Sequence, residues 1–247
     1  MSLSDSQFMR YSRHLLMDDI GEQGQQRLLN AHVLIVGMGG LGCPVSLYLA
    51  AAGLGGLTLC DGDTVDQSNL QRQILYTPED YGKPKALCAQ QRLLALNPDI
   101  EVNIFTEELS PATLAPSYDL VVDCTDNLAT RQQLNAYCFA QKIPFVSASA
   151  LGWEGQLVAF DFAASGNLCL NCIIDKESAE PLLNCSNSGV VGPVLGVMGS
   201  LQATTAIRIL VGYFKQHGRV QRYDGKSGQW LTLNAKANPQ CDICGVR

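Results

Sequence analysis

The ten residues VLIVGMGGLG, Val33 to Gly42, constrain this chain more than any other stretch. An apolar run ends at Gly37, and the glycines at 37, 39 and 42 follow the spacing G-x-G-x-x-G. The first glycine permits a tight turn, the second a close approach of backbone to phosphate, and the third close packing of a helix on a sheet. The helix that follows offers unpaired N–H groups to an anion. Gly40 lies in the same turn and is grouped with the nucleotide-contacting positions. Asp61 stands 19 residues after Gly42, at the end of a second expected strand. A carboxylate there accepts hydrogen bonds from ribose hydroxyls. The bland alternative is a glycine-rich turn that binds nothing. A strand before it, a helix after it and an acid at this distance argue against that alternative.

The order of elements extends the argument. The first thirty residues read as helical, ending near Asn30. They precede a strand at 33–37, a helix at about 41–52 ended by Gly53, and the strand LTLC leading to Asp61. A polar loop, DGDTVDQSNLQRQI, precedes a helix at 83–96 that Asn97-Pro98 stops. Strand-like runs recur at 101–106 and 119–124. Asp126 opens a helix at about 127–141, and IPFVSAS is a further strand. This alternation predicts an α/β fold with a doubly wound, mostly parallel, Rossmann-like sheet and helices on both faces. From Trp153 the texture changes: GQLVAFDF has no helix after it, which predicts antiparallel additions to the sheet. Residues 174–188 read as a mobile polar loop, 194–212 as a helix, and 219–234 as two short strands.

Bulk properties narrow the partners. A chain of 247 residues can bury one sizeable core. Its 47% hydrophobic and 16% charged content is that of a globular protein. A net charge of −6 argues against nucleic acid as a partner. The N-terminus carries no apolar core or cleavage site of a signal peptide, so a cytoplasmic location is expected. The uncharged run from Cys185 to Ile207 approaches membrane-spanning length, but its glycines, proline and polar residues favour a loop entering a buried helix. No membrane association is expected. Ten cysteines in a cytosolic chain are then thiols or metal ligands rather than a disulfide framework.

Four of those cysteines form C-x-x-C pairs, Cys169/Cys172 and Cys241/Cys244, able to supply four thiolates to one tetrahedral Zn²⁺. Four ligands leave no open position, so such a zinc is structural. The pairs lie about seventy residues apart, so the ion would clamp the C-terminus onto the middle of the chain. Cys185, alone in NCSNSGVVGP, reads equally as an inert buried thiol or as a reactive one beside a flexible segment.

The glycine turn alone makes NAD the first candidate. The rest of a dehydrogenase is lacking, since the three histidines, His14, His32 and His217, do not fall at the ends of expected sheet strands. Arg72 and Lys85 instead fall near the strand ends, and two fixed cations suit a reacting polyphosphate. Asp123 and Asp126, in DLVVDCTDN, fall where ligands of open α/β sheets bind. A carboxylate there makes a Mg²⁺ ligand, and for Asp126 helix capping is the plainer reading.

Taken together, RYSRH, VGMGGLG, the strand ending in Asp61, SNLQRQ, KPK, CTDN, both C-x-x-C pairs and GVVGPVLGVMGSLQA resemble the ThiF/MoeB family, bacterial relatives of ubiquitin-activating enzymes. The resemblance covers nearly the whole chain. It implies a single adenylyltransferase domain over 1–247, with an ATP-binding half at about 1–150 and a carrier-binding and zinc half at about 151–247. It also implies that ATP and Mg²⁺ are used to adenylate the C-terminal glycine carboxylate of a small ubiquitin-like sulfur carrier, with release of pyrophosphate. Asp61 would bind the ribose, Asp63 and Asn69 would lie by the nucleotide, Arg72 and Lys85 would hold the phosphates, and Asp126 would organise Mg²⁺. Arg13 would reach the ATP site of a second subunit, implying a homodimer. Cys169, Cys172, Cys241 and Cys244 would hold zinc, and Cys185 matches a cysteine that one branch links to its carrier. Within the family, GVVGPVLGVMG and YDGKSGQW lean toward ThiF acting on ThiS in thiamine thiazole synthesis, with MoeB acting on MoaD in molybdopterin synthesis as the alternative. The sequence stops just after Cys244, so a separate sulfur-donor protein is expected. A nicotinamide dehydrogenase and a non-catalytic carrier-binding module are the competing readings.

Overall fold

The computed structural model describes residues 3–163, 167–174 and 189–245. Three helices lead in, α1 (Asp5–Arg10), α2 (Ser12–Leu15) and α3 (Gly21–Asn30). There follow β1 (His32–Val36), α4 (Gly42–Ala51), β2 (Gly56–Cys60), α5 (Lys85–Leu96), β3 (Glu101–Phe105), β4 (Leu120–Asp123), α6 (Leu128–Gln141), β5 (Phe145–Leu151) and β6 (Glu154–Phe160). A long helix, α7 (Gly192–Leu210), precedes the hairpin of β7 (Arg219–Asp224) and β8 (Gln229–Asn234).

All eight strands join one sheet in the order β3-β2-β1-β4-β5-β6-β7-β8. The first five are parallel, while β6, β7 and β8 add antiparallel. The expected doubly wound sheet and its antiparallel extension are both present. Helix ends fall within a few residues of their sequence-based positions, except that Asp126 does not open α6. Asn127 does, its side chain accepting from the Thr130 amide at 2.9 Å.

The apolar runs are explained by burial on both faces of the sheet. Val33 and Ile35 of β1 join one core with Leu57, Leu59, Leu120 and Val122. Leu34 and Val36 point the other way, into a second core with Val121, Phe145 and Phe160. Helices α4, α5 and α7 cover the first face, and α6 the second. Helix α7 has the length and composition of a membrane span, yet it packs against α4, β4, β5 and β6.

The strand order reverses direction at β1, which lies between β2 and β4. At such a switch point the loops leaving neighbouring strands diverge and open a crevice at their carboxyl ends. Register aligns those ends, because Val36 pairs with both Cys60 and Asp123. Gly37, Asp61 and Cys124 thus leave the sheet side by side.

Candidate active site

A cleft of about 530 Å³ occupies this crevice. Its lining includes nine positions expected at a nucleotide: Gly37, Gly39, Gly40, Asp61, Asp63, Asn69, Arg72, Lys85 and Asp126. The turn that carries the first three is held from both sides. Gly37 has φ 92°, and a Cβ there would lie 2.7 Å from the Cys124 carbonyl. Gly42 stands inside the turn rather than in the cleft lining; its Cβ would collide with the Gly37 carbonyl. Met38 donates its N–H to Asp61 Oδ2 at 2.6 Å and receives the Tyr76 hydroxyl on its carbonyl at 2.7 Å. The amides of Gly39, Gly40 and Leu41 donate to no backbone carbonyl among the described residues. They stand at the start of α4, where an anion can supply the missing acceptor.

Asp61 also accepts from the Asp63 amide at 2.8 Å. Burial pushes its carboxyl above the usual value, opposed by the nearby Lys85 charge and those two N–H bonds. The oxygens keep lone pairs for further donors, as ribose recognition needs. Lys85 is 5% exposed, and its Nζ lies 2.7 Å from Asp63 Oδ2. Arg72 donates to the Ser68 carbonyl at 2.9 Å, within the short turn that also carries Asn69.

The two aspartates at the carboxyl end of β4 separate sharply. Asp123 is fully buried. It receives Arg131 Nε at 2.7 Å, Ser147 Oγ at 2.6 Å, and the Thr125 hydroxyl and amide at 2.6 and 3.0 Å. It is therefore no ligand for a metal in the cleft, of which it is not a lining residue. Asp126 is exposed, faces the cleft, and makes no hydrogen bond or ion pair among the described residues. With Asn127 as the helix cap, its carboxylate is uncommitted and fits a hydrated divalent cation. Arg131 was not singled out in the sequence. It lines the cleft and also donates to the Thr125 and Ala148 carbonyls, bracing the 124–127 loop. The available signal was a cation in the first turn of a helix, against the helix dipole.

The remaining expected positions lie elsewhere. Arg13 is exposed on α2 and is not among the residues lining the cleft. None of the three histidines lines it either; His14 and His32 are half-buried and bonded to Gln25 and Thr58. Cys185 and the polar loop around it lie outside the described residues. At the far end the cleft runs between β5, β6 and β7, past Ser149, Gln156 and Arg222. No sequence signal marked these residues, because their meeting depends on strand pairing.

The four paired cysteines come together away from the cleft, their sulfurs all within 4.8 Å of one another. Cys169–Cys241 and Cys172–Cys244 are 3.7 and 3.2 Å apart. A tetrahedron of Zn–S bonds near 2.3 Å has edges of about 3.8 Å, so the set suits zinc. Burial acts to raise the Cys241 thiol, but the N–H groups of Cys244 and Ile243 outweigh it and lower it to about 7. Burial raises Cys169 and Cys244.

Fold and cleft define a class: an α/β protein of the nucleotide-binding type, with two cations and a free carboxylate lining the same cleft as the glycine turn. Comparison with protein families matches residues 11–243 to the ThiF family. The chain belongs to that family. It is 48% identical over 246 residues to the sulfur carrier protein ThiS adenylyltransferase of Escherichia coli, covering 98% of this chain and 97% of that protein. It is 44% identical to the molybdopterin-synthase adenylyltransferase of the same organism, covering 98% of each. It is also 43% identical to the adenylyltransferase and sulfurtransferase MOCS3 of Drosophila willistoni, of which it spans 54%. Among solved structures, E. coli MccB with ATP superposes with a TM-score of 0.82 at 25% identity, over 95% of this chain and 74% of that one. The curated relatives are adenylyltransferases of sulfur carrier proteins, and the chain is an enzyme of this type, for which ATP is the implied substrate.

Proposed function

We propose that this chain activates the C-terminal glycine carboxylate of a small ubiquitin-like sulfur carrier as an acyl-adenylate. The carrying observation is that Lys85, Arg72, Asp126 and the unpaired amides of the glycine turn line one cleft. In the step, a carboxylate oxygen bonds to the α-phosphorus of ATP as the bond from that phosphorus to the bridging oxygen breaks. Pyrophosphate leaves with the electron pair. The attack brings like charges together, and Lys85 and Arg72 offset that repulsion while stabilising the leaving group. No protein nucleophile or strong base is needed, in keeping with a cleft lined by no histidine. Asp61 orients the ribose, while Asn69 and Asp63 hold the phosphate loop and Lys85 in place. Asp126 would hold Mg²⁺, which would supply positive charge against that of the phosphates. Arg131 keeps the loop of Asp126 in register.

The preferred carrier is ThiS-like, supported by 48% identity to the ThiS enzyme against 44% to the molybdopterin-synthase enzyme. The cysteine cluster holds a structural zinc, and the chain acts in the cytoplasm as one adenylyltransferase unit over 1–247. Its residues from about 151 onward form the carrier-facing part of the cleft and the zinc site. A homodimer supplies Arg13, which lies outside its own chain's cleft lining, to the site of a second copy. Sulfur comes from a separate donor protein. ATP–pyrophosphate exchange, with ThiS-type and MoaD-type carriers supplied separately, tests the reading. Exchange is expected with ThiS. Exchange with MoaD alone overturns the branch, and exchange with neither overturns adenylation.

A further inference from the structure

We propose that Gln202 is a positioning residue for the adenylation step, fixing the loop of Asp126 against the glycine turn by holding Asp123 and Cys124. The proposal rests on the adenylation reading. Asp126 makes no hydrogen bond or ion pair among the described residues, so its place at the cleft is set by how the 124–127 loop is anchored. Arg131 takes one side of that loop through the Thr125 carbonyl at 2.7 Å. Gln202, fully buried in the middle of α7, takes the other. Its Nε2 donates to the Asp123 carbonyl at 2.8 Å, and its Oε1 accepts from Cys124 Sγ at 3.6 Å. A carbonyl only accepts, so the nitrogen must face Asp123 and the oxygen is left for the thiol. Burial raises the Cys124 thiol well above its usual range, which keeps the proton that this bond needs. Cys124 is also held by β1, donating its N–H to the Val36 carbonyl at 2.8 Å. Its own carbonyl stands against Gly37, where a Cβ would approach to 2.7 Å. The residue that Gln202 grips is therefore the one on which the glycine turn leans.

The same helix also touches the turn itself. Leu195, Gly199 and Gln202 follow helical spacings of four and three and form one stripe of α7. A carbon built at Gly40 would lie 2.5 Å from Leu195 Cδ1, and one at Gly199 would lie 2.8 Å from the Leu41 carbonyl. Two positions of the stripe thus meet the glycine turn and the third holds the end of β4, so one helix spans both walls of the crevice. Apolar contacts tolerate sliding, whereas the two bonds of a buried amide are directional and select one setting. Methionine has nearly the same length but would leave the Asp123 carbonyl and the Cys124 thiol free to shift. A displacement of about 1 Å in a group that meets the reacting phosphates is enough to cost about 10²-fold in rate.

The test is calorimetric binding of a non-hydrolysable ATP analogue, in Mg²⁺ and in chelator, to wild type, Gln202→Met and Gln202→Glu, beside ATP–pyrophosphate exchange and thermal unfolding. In Gln202→Met, kcat for exchange should fall about 10- to 100-fold, and the affinity that Mg²⁺ adds to the analogue should shrink about tenfold, with binding in chelator little changed. A lower melting temperature with wild-type exchange and an undiminished Mg²⁺ gain is the mark of a packing role and would overturn the proposal. So would equal losses of affinity in Mg²⁺ and in chelator. Gln202→Glu carries the comparison if the methionine variant does not fold. Its neutral acid can make both bonds and its carboxylate cannot, so its exchange relative to wild type should rise as pH falls from about 8.5 to about 6.5. A flat ratio would overturn the proposal. A wild type that shows no exchange overturns the adenylation reading instead.

Discussion

Asp123 and Asp126 are three residues apart, the first ending β4 and the second in the loop that follows. Asp123 is sealed among Arg131, Ser147 and Thr125, whereas Asp126 is exposed and uncommitted. Asp123→Ala strands the half-buried Arg131 charge and should cost about 3–5 kcal/mol, read as a lower urea midpoint. Asp126→Ala should leave that midpoint within error and abolish pyrophosphate exchange. Lys85→Ala belongs with Asp126: the partner it leaves, Asp63, has a side chain 69% exposed and is rehydrated by solvent. Exchange should fall by about 10²–10³ while the fold persists; near-normal exchange in both variants would sink the assignment. Spacing placed both aspartates at the strand end, and only the family resemblance singled out Asp126. What separates them is the arrival of Ser147 from β5 and Arg131 from α6, which no local spacing encodes.

The glycine turn joins β1 to α4, and its work depends on a carbonyl from a distant segment. Gly37→Ala would face φ 92° and the Cys124 carbonyl at 2.7 Å. The backbone conformation alone should cost about 1–3 kcal/mol. The turn would also shift, so ATP affinity should fall with stability, measured by calorimetry beside chemical denaturation. That pairing distinguishes this glycine from Lys85, where binding and catalysis suffer without the fold. Elements were legible wherever burial was uniform: VLIV, LTLC and LVVD are buried throughout because both faces of the sheet are covered. The start of α6 was misread by one residue, since aspartate and asparagine cap equally well and only the backbone decided for Asn127.

Across the whole molecule, the cysteine cluster ties the last residues to the turn at Leu170–Cys172, itself anchored on α6 through Asn135, which accepts from the Leu170 amide at 3.0 Å. Metal analysis should find about one zinc per chain, and Cys172→Ser or Cys241→Ser should lose it. The melting temperature should drop, with ATP affinity little changed, because none of the four cysteines lines the cleft. Mixing subunits tests the composite site. Arg13→Ala and Lys85→Ala chains, each inactive alone, should on random exchange recover about a quarter of wild-type exchange, since half the dimers hold one intact site. By itself the sequence determined the parallel α/β core, the glycine turn with Asp61 at the end of the neighbouring strand, and the two thiol pairs. Each is written in local spacing or in continuous apolar runs. Tertiary structure alone decided that Asp123 is sealed and Asp126 uncommitted, that Arg131 braces the loop, and that the sulfurs converge. Those depend on strand order and register, which bring together residues dozens of positions apart through a buried core whose burial energy no local pattern specifies.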